Sequence, residues 1–126
     1  MSNQTKVKAF MLKAEQKVRV HPMMPTASEC DLRLSLIKEE LGELEEAITN
    51  IDLVEVADGL ADLLYVIYGA ANTFGIDIQE VFDEVHRTNL TKFSVGGYRR
   101  SDGKWFKPPD WEPPKIAEIL DRQSKL

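Results

Sequence analysis

Five of the thirteen residues in "KEELGELEEAITN", Lys38 to Asn50, are glutamates: Glu39, Glu40, Glu43, Glu45 and Glu46. After eleven intervening residues Glu43 is followed by a second acidic series, Glu55, Asp58 and Asp62, inside an otherwise apolar stretch. Carboxylates projected toward an apolar interior are costly unless they are paired with cations or hold a metal. Oxygen-only donors converging from two segments suit a hard divalent ion such as Mg²⁺ or Mn²⁺.

At about 100° per residue the two series divide further. In the first segment Leu36, Ile37, Leu41, Leu44, Ala47 and Ile48 form the apolar arc. Glu40 falls inside it, Glu43 on its border and Glu39 just outside, whereas Glu45 and Glu46 turn toward solvent. Arg33 also falls inside the arc, two turns before Glu40. In the second segment Glu55, Asp58 and Asp62 lie within about 60° of one another. Nothing on that segment is cationic. A metal cluster of Glu40, Glu43, Glu55 and Asp58 is therefore expected. Two bland roles stay open: Glu55 stands three after Asp52, as in a capping box, and Asp62 could pair with Arg33 or with a cation of the following helix.

Four helices are expected to carry these residues. The first runs from about Thr5 to Val18, until Pro22 and Pro25 of "HPMMPTAS" break it. The second starts at an N-cap Ser28 and reaches about Thr49. The third runs from Asp52 to Phe74 and stops at Gly75. Its apolar residues surround nearly the whole circumference, which predicts burial by the bundle or by a subunit interface. The fourth begins with Asp77 as a cap and Glu80 completing a capping box, and carries Ile78, Val81, Phe82 and Val85 as its stripe. After about Lys92 an irregular Gly/Pro-rich tail, about 93–126, leaves room for a hairpin around "SDGK" and a last helix from Lys115 to Gln123. The class is all-α, a four-helix bundle in one domain spanning 1–126.

Composition narrows the setting. Of 126 residues 43% are hydrophobic and 29% charged, with a net charge of −5, which argues against binding nucleic acid by phosphate neutralisation. One cysteine, Cys30, allows neither an internal disulfide nor a Cys-rich zinc site. The charged N-terminus does not read as a signal peptide, and "LADLLYVIYGAA", broken by Asp62, does not read as a membrane span. No membrane association is expected.

The spacing Glu39-Glu40-x-x-Glu43 followed by Glu55-x-x-Asp58, with "EVADGLADLLYVIYGAANTFGID" and "EVHRTNLTKF" after it, resembles the all-α nucleoside triphosphate pyrophosphohydrolases of the MazG-like superfamily. It is similar to their compact phosphoribosyl-ATP pyrophosphohydrolase-like bacterial and phage members, over about Phe10 to Pro114. The resemblance implies a dimer or a dimer of dimers, in a bacterial or phage-infected cytoplasm. It implies hydrolysis of a nucleoside triphosphate between the α and β phosphates, with Mg²⁺ (or Mn²⁺) as cofactor and two or more ions per site. Residue by residue, Glu40, Glu43, Glu55 and Asp58 would hold the principal metal, with Glu39 and Asp62 as further ligands. Glu39, Glu40 and Lys92 are the catalytic candidates. Asn89 and Lys92 would meet the phosphates, joined by Arg33 and Arg87 as substrate-binding candidates. Related sequences often carry Phe-His where this chain has Phe10-Met11, so a base or sugar contact through that histidine is not expected here.

His86, Asn89 and Lys92 recur every three residues, and Arg87, Arg99, Arg100, Lys104 and Lys107 make this end basic. Asn89 could equally serve as a helix C-cap and His86 as a structural residue. Trp105, Trp111 and Tyr98 could stack on a base or pin the tail down. A carboxylate-bridged di-iron bundle would require two Glu-x-x-His pairs, and only Asp83-x-x-His86 comes near. A non-enzymatic helical interaction module remains the rival of another class. Neither base nor sugar is specified; a standard or modified (deoxy)nucleoside triphosphate is favoured over phosphoribosyl-ATP.

Overall fold

The computed structural model describes residues 1–126 and contains five α-helices, a 3₁₀ turn and one two-stranded hairpin. The all-α class is as expected. Two compact units divide the chain, 1–76 and 77–125.

In the first unit α1 spans Asn3–Lys13, α2 Ala27–Thr49 and α3 Leu53–Phe74. The first helix is shorter than its apolar pattern suggests. It stops at the cap Ala14, and Glu15 takes a left-handed conformation at φ 58°. The chain that follows leaves the helix because it has other partners. Arg19 N–H donates to the Asn72 carbonyl (3.0 Å), and Met23 N–H donates to that of Phe74 (3.0 Å). These carbonyls belong to the last turn of α3, where helix donors run out: Asn72 O has only the cap N–H of Gly75 at 3.3 Å, and the strap supplies the further donors. Gly75 closes the same helix at φ 70°, with His21 O only 2.1 Å from where a Cβ would lie, so glycine is required twice over.

The N-cap of α2 is Thr26, not Ser28. Its hydroxyl accepts from Glu29 N–H (3.3 Å), and the Glu29 carboxylate in turn receives the Arg19 guanidinium at 2.6 and 2.9 Å. A threonine followed three residues on by a glutamate is a capping pattern in its own right, and the strap arginine fixes it in place. Asp52 caps α3 as expected, accepting from Glu55 N–H at 3.2 Å. The core is small: Val7 and Met11 of α1, Leu44 and Ala47 of α2, and Ala71 of α3 are buried. Replacing a buried methionine such as Met11 by alanine typically costs about 2–5 kcal/mol.

Burial of α3 departs from expectation. Leu60 and Leu64 are 50% and 53% exposed, and Leu53, Val54 and Ile67 are exposed as well. Two neighbouring helices cover only part of a helix that is apolar all round, so its remaining faces stay open in a single chain.

The second unit holds α4 (Ile78–Leu90), a 3₁₀ turn (Thr91–Phe93), β1 (Tyr98–Arg99), β2 (Trp105–Phe106) and α5 (Ile116–Gln123). The strands pair antiparallel, Tyr98 with Phe106 and Arg99 with Trp105, around the expected "SDGK" turn. The capping box at Asp77 does not form. Asp77 makes no side-chain cap bond; Gln123 of α5 accepts from Asp77 N–H (3.0 Å), and Glu80 pairs with Arg122. A tertiary partner has replaced the local one. No helix of the chain is long and apolar enough to cross a membrane.

Candidate functional site

The α2–α3 pair brings carboxylates together because the helices approach closely. Gly59 faces the Leu44 backbone, whose Cα would lie 3.3 Å from a Cβ at that position. Glu43 immediately precedes Leu44 and Glu40 lies one turn before it, while Asp62 follows Gly59 by three residues. Ligand oxygens of Glu40, Glu43 and Asp62 all lie within 4.8 Å of one another.

Glu40 is the inner member. It is half-buried, and its Oε2 is buried without a hydrogen-bond partner. Burial first, then Glu43, and after it the charges of Asp62 and Glu39, push the Glu40 carboxyl above the usual carboxylate range. No member of the trio forms a salt bridge. A buried orphan oxygen among mutually repelling carboxylates is the pattern a divalent cation relieves, and the all-oxygen donor set fits a hard ion. The residues present therefore fit a metal of that class.

The other expected ligands are placed differently. Glu55 lines an open recess with Glu43, Glu46, Ala47, Asn50 and Asp52, beside the trio rather than within it. Asp58 is exposed, one turn before Asp62, and belongs to neither grouping. Glu39 is exposed at the edge. Asp62, named from the sequence only as a further ligand, enters the trio. Its signal was visible: it shares the acidic 60° sector and lies one turn beyond Asp58.

Arg33 is buried at 8% exposure and does not pair with Asp62. Its Nη2 donates to Gln16 Oε1 (3.1 Å), and burial lowers the guanidinium pKa. It thus ties α2 to the strap. Arg87 is held by Glu84, with Nε and Nη2 at 2.7 and 3.1 Å from its two carboxylate oxygens. That pairing, with Lys115 N–H, draws the Glu84 carboxyl down to about 2.

Asn89 is exposed in the last turn of α4, whose C-cap is Thr91. Lys92 sits in the 3₁₀ turn with its Nζ over the Trp111 ring, 5.4 Å from the centroid. His86 is exposed. Trp111 donates from Nε1 to the Thr88 carbonyl (2.8 Å), so it pins the tail to the end of α4. Trp105 meets Phe93 edge-on, and Tyr98 lies against Phe106 within the hairpin.

A family model described as phosphoribosyl-ATP pyrophosphohydrolase matches residues 7–89. That span takes in the whole acidic series and Asn89, and ends before Lys92. An uncharacterised protein of Acanthamoeba polyphaga mimivirus is 42% identical over 65 residues, half of this chain. The chain covers 26% of the length of that relative.

Proposed function

Because the chain belongs to the phosphoribosyl-ATP pyrophosphohydrolase family, within the MazG-like all-α superfamily, we propose that it hydrolyses a nucleoside triphosphate between the α and β phosphates. Water adds to a phosphorus of the bridge, the bridging P–O bond breaks, and a nucleoside monophosphate and pyrophosphate leave. The observation that carries the proposal is the Glu40–Glu43–Asp62 trio with its orphaned Glu40 Oε2.

Glu40, Glu43 and Asp62 would hold Mg²⁺ or Mn²⁺, with Glu55 and Asp58 on the same helix pair as ligands of a further ion. Such an ion supplies charge neutralisation for the polyphosphate and activation of water at neutral pH. Glu39, exposed one residue from Glu40, would take the proton of the attacking water. Asn89 and Lys92 are assigned to the phosphates. Arg33 and Arg87, already engaged by Gln16 and Glu84, are better read as positioning residues than as substrate contacts.

The open apolar face of α3 supports a homodimer or homotetramer as the working form, since water-exposed leucines at this density favour a partner. The substrate is read as a standard or modified (deoxy)nucleoside triphosphate, with phosphoribosyl-ATP as the alternative in the family's own name.

The test is a panel of the eight standard triphosphates and phosphoribosyl-ATP, each followed for pyrophosphate release with Mg²⁺ or Mn²⁺ and in EDTA. Turnover that requires the ion is expected. Failure of every substrate with either ion would sink the proposal and leave the helical interaction module as the reading.

A further inference from the structure

The second unit contains a cationic device that the acidic trio does not explain. Four of its basic side chains are committed to carboxylates: Arg87 to Glu84, Arg100 to Asp102, Arg122 to Glu80 and Lys125 to Asp121. Lys92 and Lys107 make no ion pair. Fifteen residues apart in sequence, both place their ammonium groups against one ring, with Nζ at 5.4 and 4.9 Å from the Trp111 centroid.

That ring is held in place. Its N–H is bonded to the carbonyl of Thr88, a residue 1% exposed, and Trp111 N–H donates to Pro108 O (3.0 Å), closing the "PPDW" turn. The indole attracts both cations through its quadrupole without neutralising either, and the neighbouring carboxylates Asp110 and Glu112 form an ion pair with neither lysine. Each ammonium keeps donors for another ligand. Two ammonium groups held to one ring offer donors to an anion with several oxygens.

We infer that Lys107 is a phosphate-binding residue, placed with Lys92 against Trp111 so that the two lysines together bind a polyphosphate, that of a nucleotide or an inorganic one. This rests on the proposed pyrophosphohydrolase activity for its substrate. Trp111 is the positioning residue and touches no phosphate. Inorganic pyrophosphate and inorganic tripolyphosphate carry the recognised chemistry without base or sugar.

The experiment is calorimetric titration of the full chain with inorganic pyrophosphate and with tripolyphosphate, in Mg²⁺ and in metal-free buffer, for wild type, K107A, K107R and K104A. Losing one charged hydrogen bond is expected to weaken binding about tenfold in K107A. K107R should recover most of it, and K104A, which removes an exposed charge nearby, should stay within about twofold of wild type by the same scale. In turnover assays K107A should raise KM more than it lowers kcat, with thermal stability unchanged.

K107A binding both polyphosphates as wild type does would overturn the inference. So would equal weakening in K104A, which would reduce the effect to general charge. If no triphosphate is hydrolysed yet tripolyphosphate binding still depends on Lys107, the lysine pair stands and the hydrolase reading falls. If hydrolysis proceeds and Lys107 is neutral in both assays, the reverse holds.

Discussion

Glu29 and Glu40 occupy the same helix, about three turns apart, and their carboxyls are driven in opposite directions. Glu29 receives both terminal guanidinium nitrogens of Arg19, Nη1 and Nη2, and falls to about 2. Glu40 has no cation; burial and its neighbours Glu43 and Asp62 raise it. The first is a structural acid, satisfied within the protomer and anchoring the strap to the start of α2. The second is left dissatisfied by the fold, and an acid in that condition needs something the polypeptide does not supply. Helix position alone does not separate these roles; the partner presented by the rest of the chain does.

The contrast is most sharply broken by exchanging glutamine for each acid. E40Q should lower metal-dependent pyrophosphate release by about a hundredfold or more, the scale at which disturbing a metal's ligands acts. E29Q should leave kcat near wild type. Comparable losses in both, measured as initial rates at saturating metal, would mean that the trio has no special part in turnover.

Metal binding itself gives the next effect. Mg²⁺ at a hundred times its dissociation constant should stabilise the native chain by about 2.7 kcal/mol, visible as a rise of several degrees in melting temperature. E40Q and D62N should lose that rise. E40Q should also melt higher than wild type in EDTA, because an unpaired buried charge has been removed.

A smaller effect is expected from pH. Glu29, with a native pKa near 2, contributes stability that is present above the ordinary carboxylate pKa of about 4.5 and is lost as pH falls toward 2. Glu84, held by Arg87, behaves in the same way. Glu40 has the opposite sign: its raised native pKa makes the metal-free chain gain stability as pH falls through that value. Denaturant titrations between pH 2 and 7 should therefore flatten at the acid end in E29Q, and lose the opposing rise in E40Q. The smallest change is T26A, expected to cost about 1 kcal/mol through the lost cap and to leave turnover intact.

Much of this was legible in the residues. Asp52 and Gly75 bound α3 where their side-chain chemistry says they should, and the "SDGK" turn closes the hairpin. The helical wheel turned Glu40 inward and Glu45 and Glu46 outward, and the fold leaves Glu45 and Glu46 exposed. Other points were not legible, because they depend on residues far away in sequence. The first helix ends early because its continuation bonds to the α3 carbonyls. Thr26 gains Arg19 as an ally, Asp77 is served by Gln123 rather than Glu80, and Arg33 meets Gln16.

Local sequence thus determined the helices, most of their ends, the acidic sector on each of two helices and the family of folds they belong to. These follow from capping chemistry, apolar periodicity and spacing, which act within a turn or two of chain. Only the tertiary structure decided that Asp62, ahead of Glu55 and Asp58, meets Glu40 and Glu43. That choice belongs to the close approach at Gly59 and Leu44, which fixes how far along α3 the inner face of α2 reaches. It also decided that Lys92 and Lys107 share one indole, because a tail folded back by two prolines puts Trp111 where no periodicity could place it.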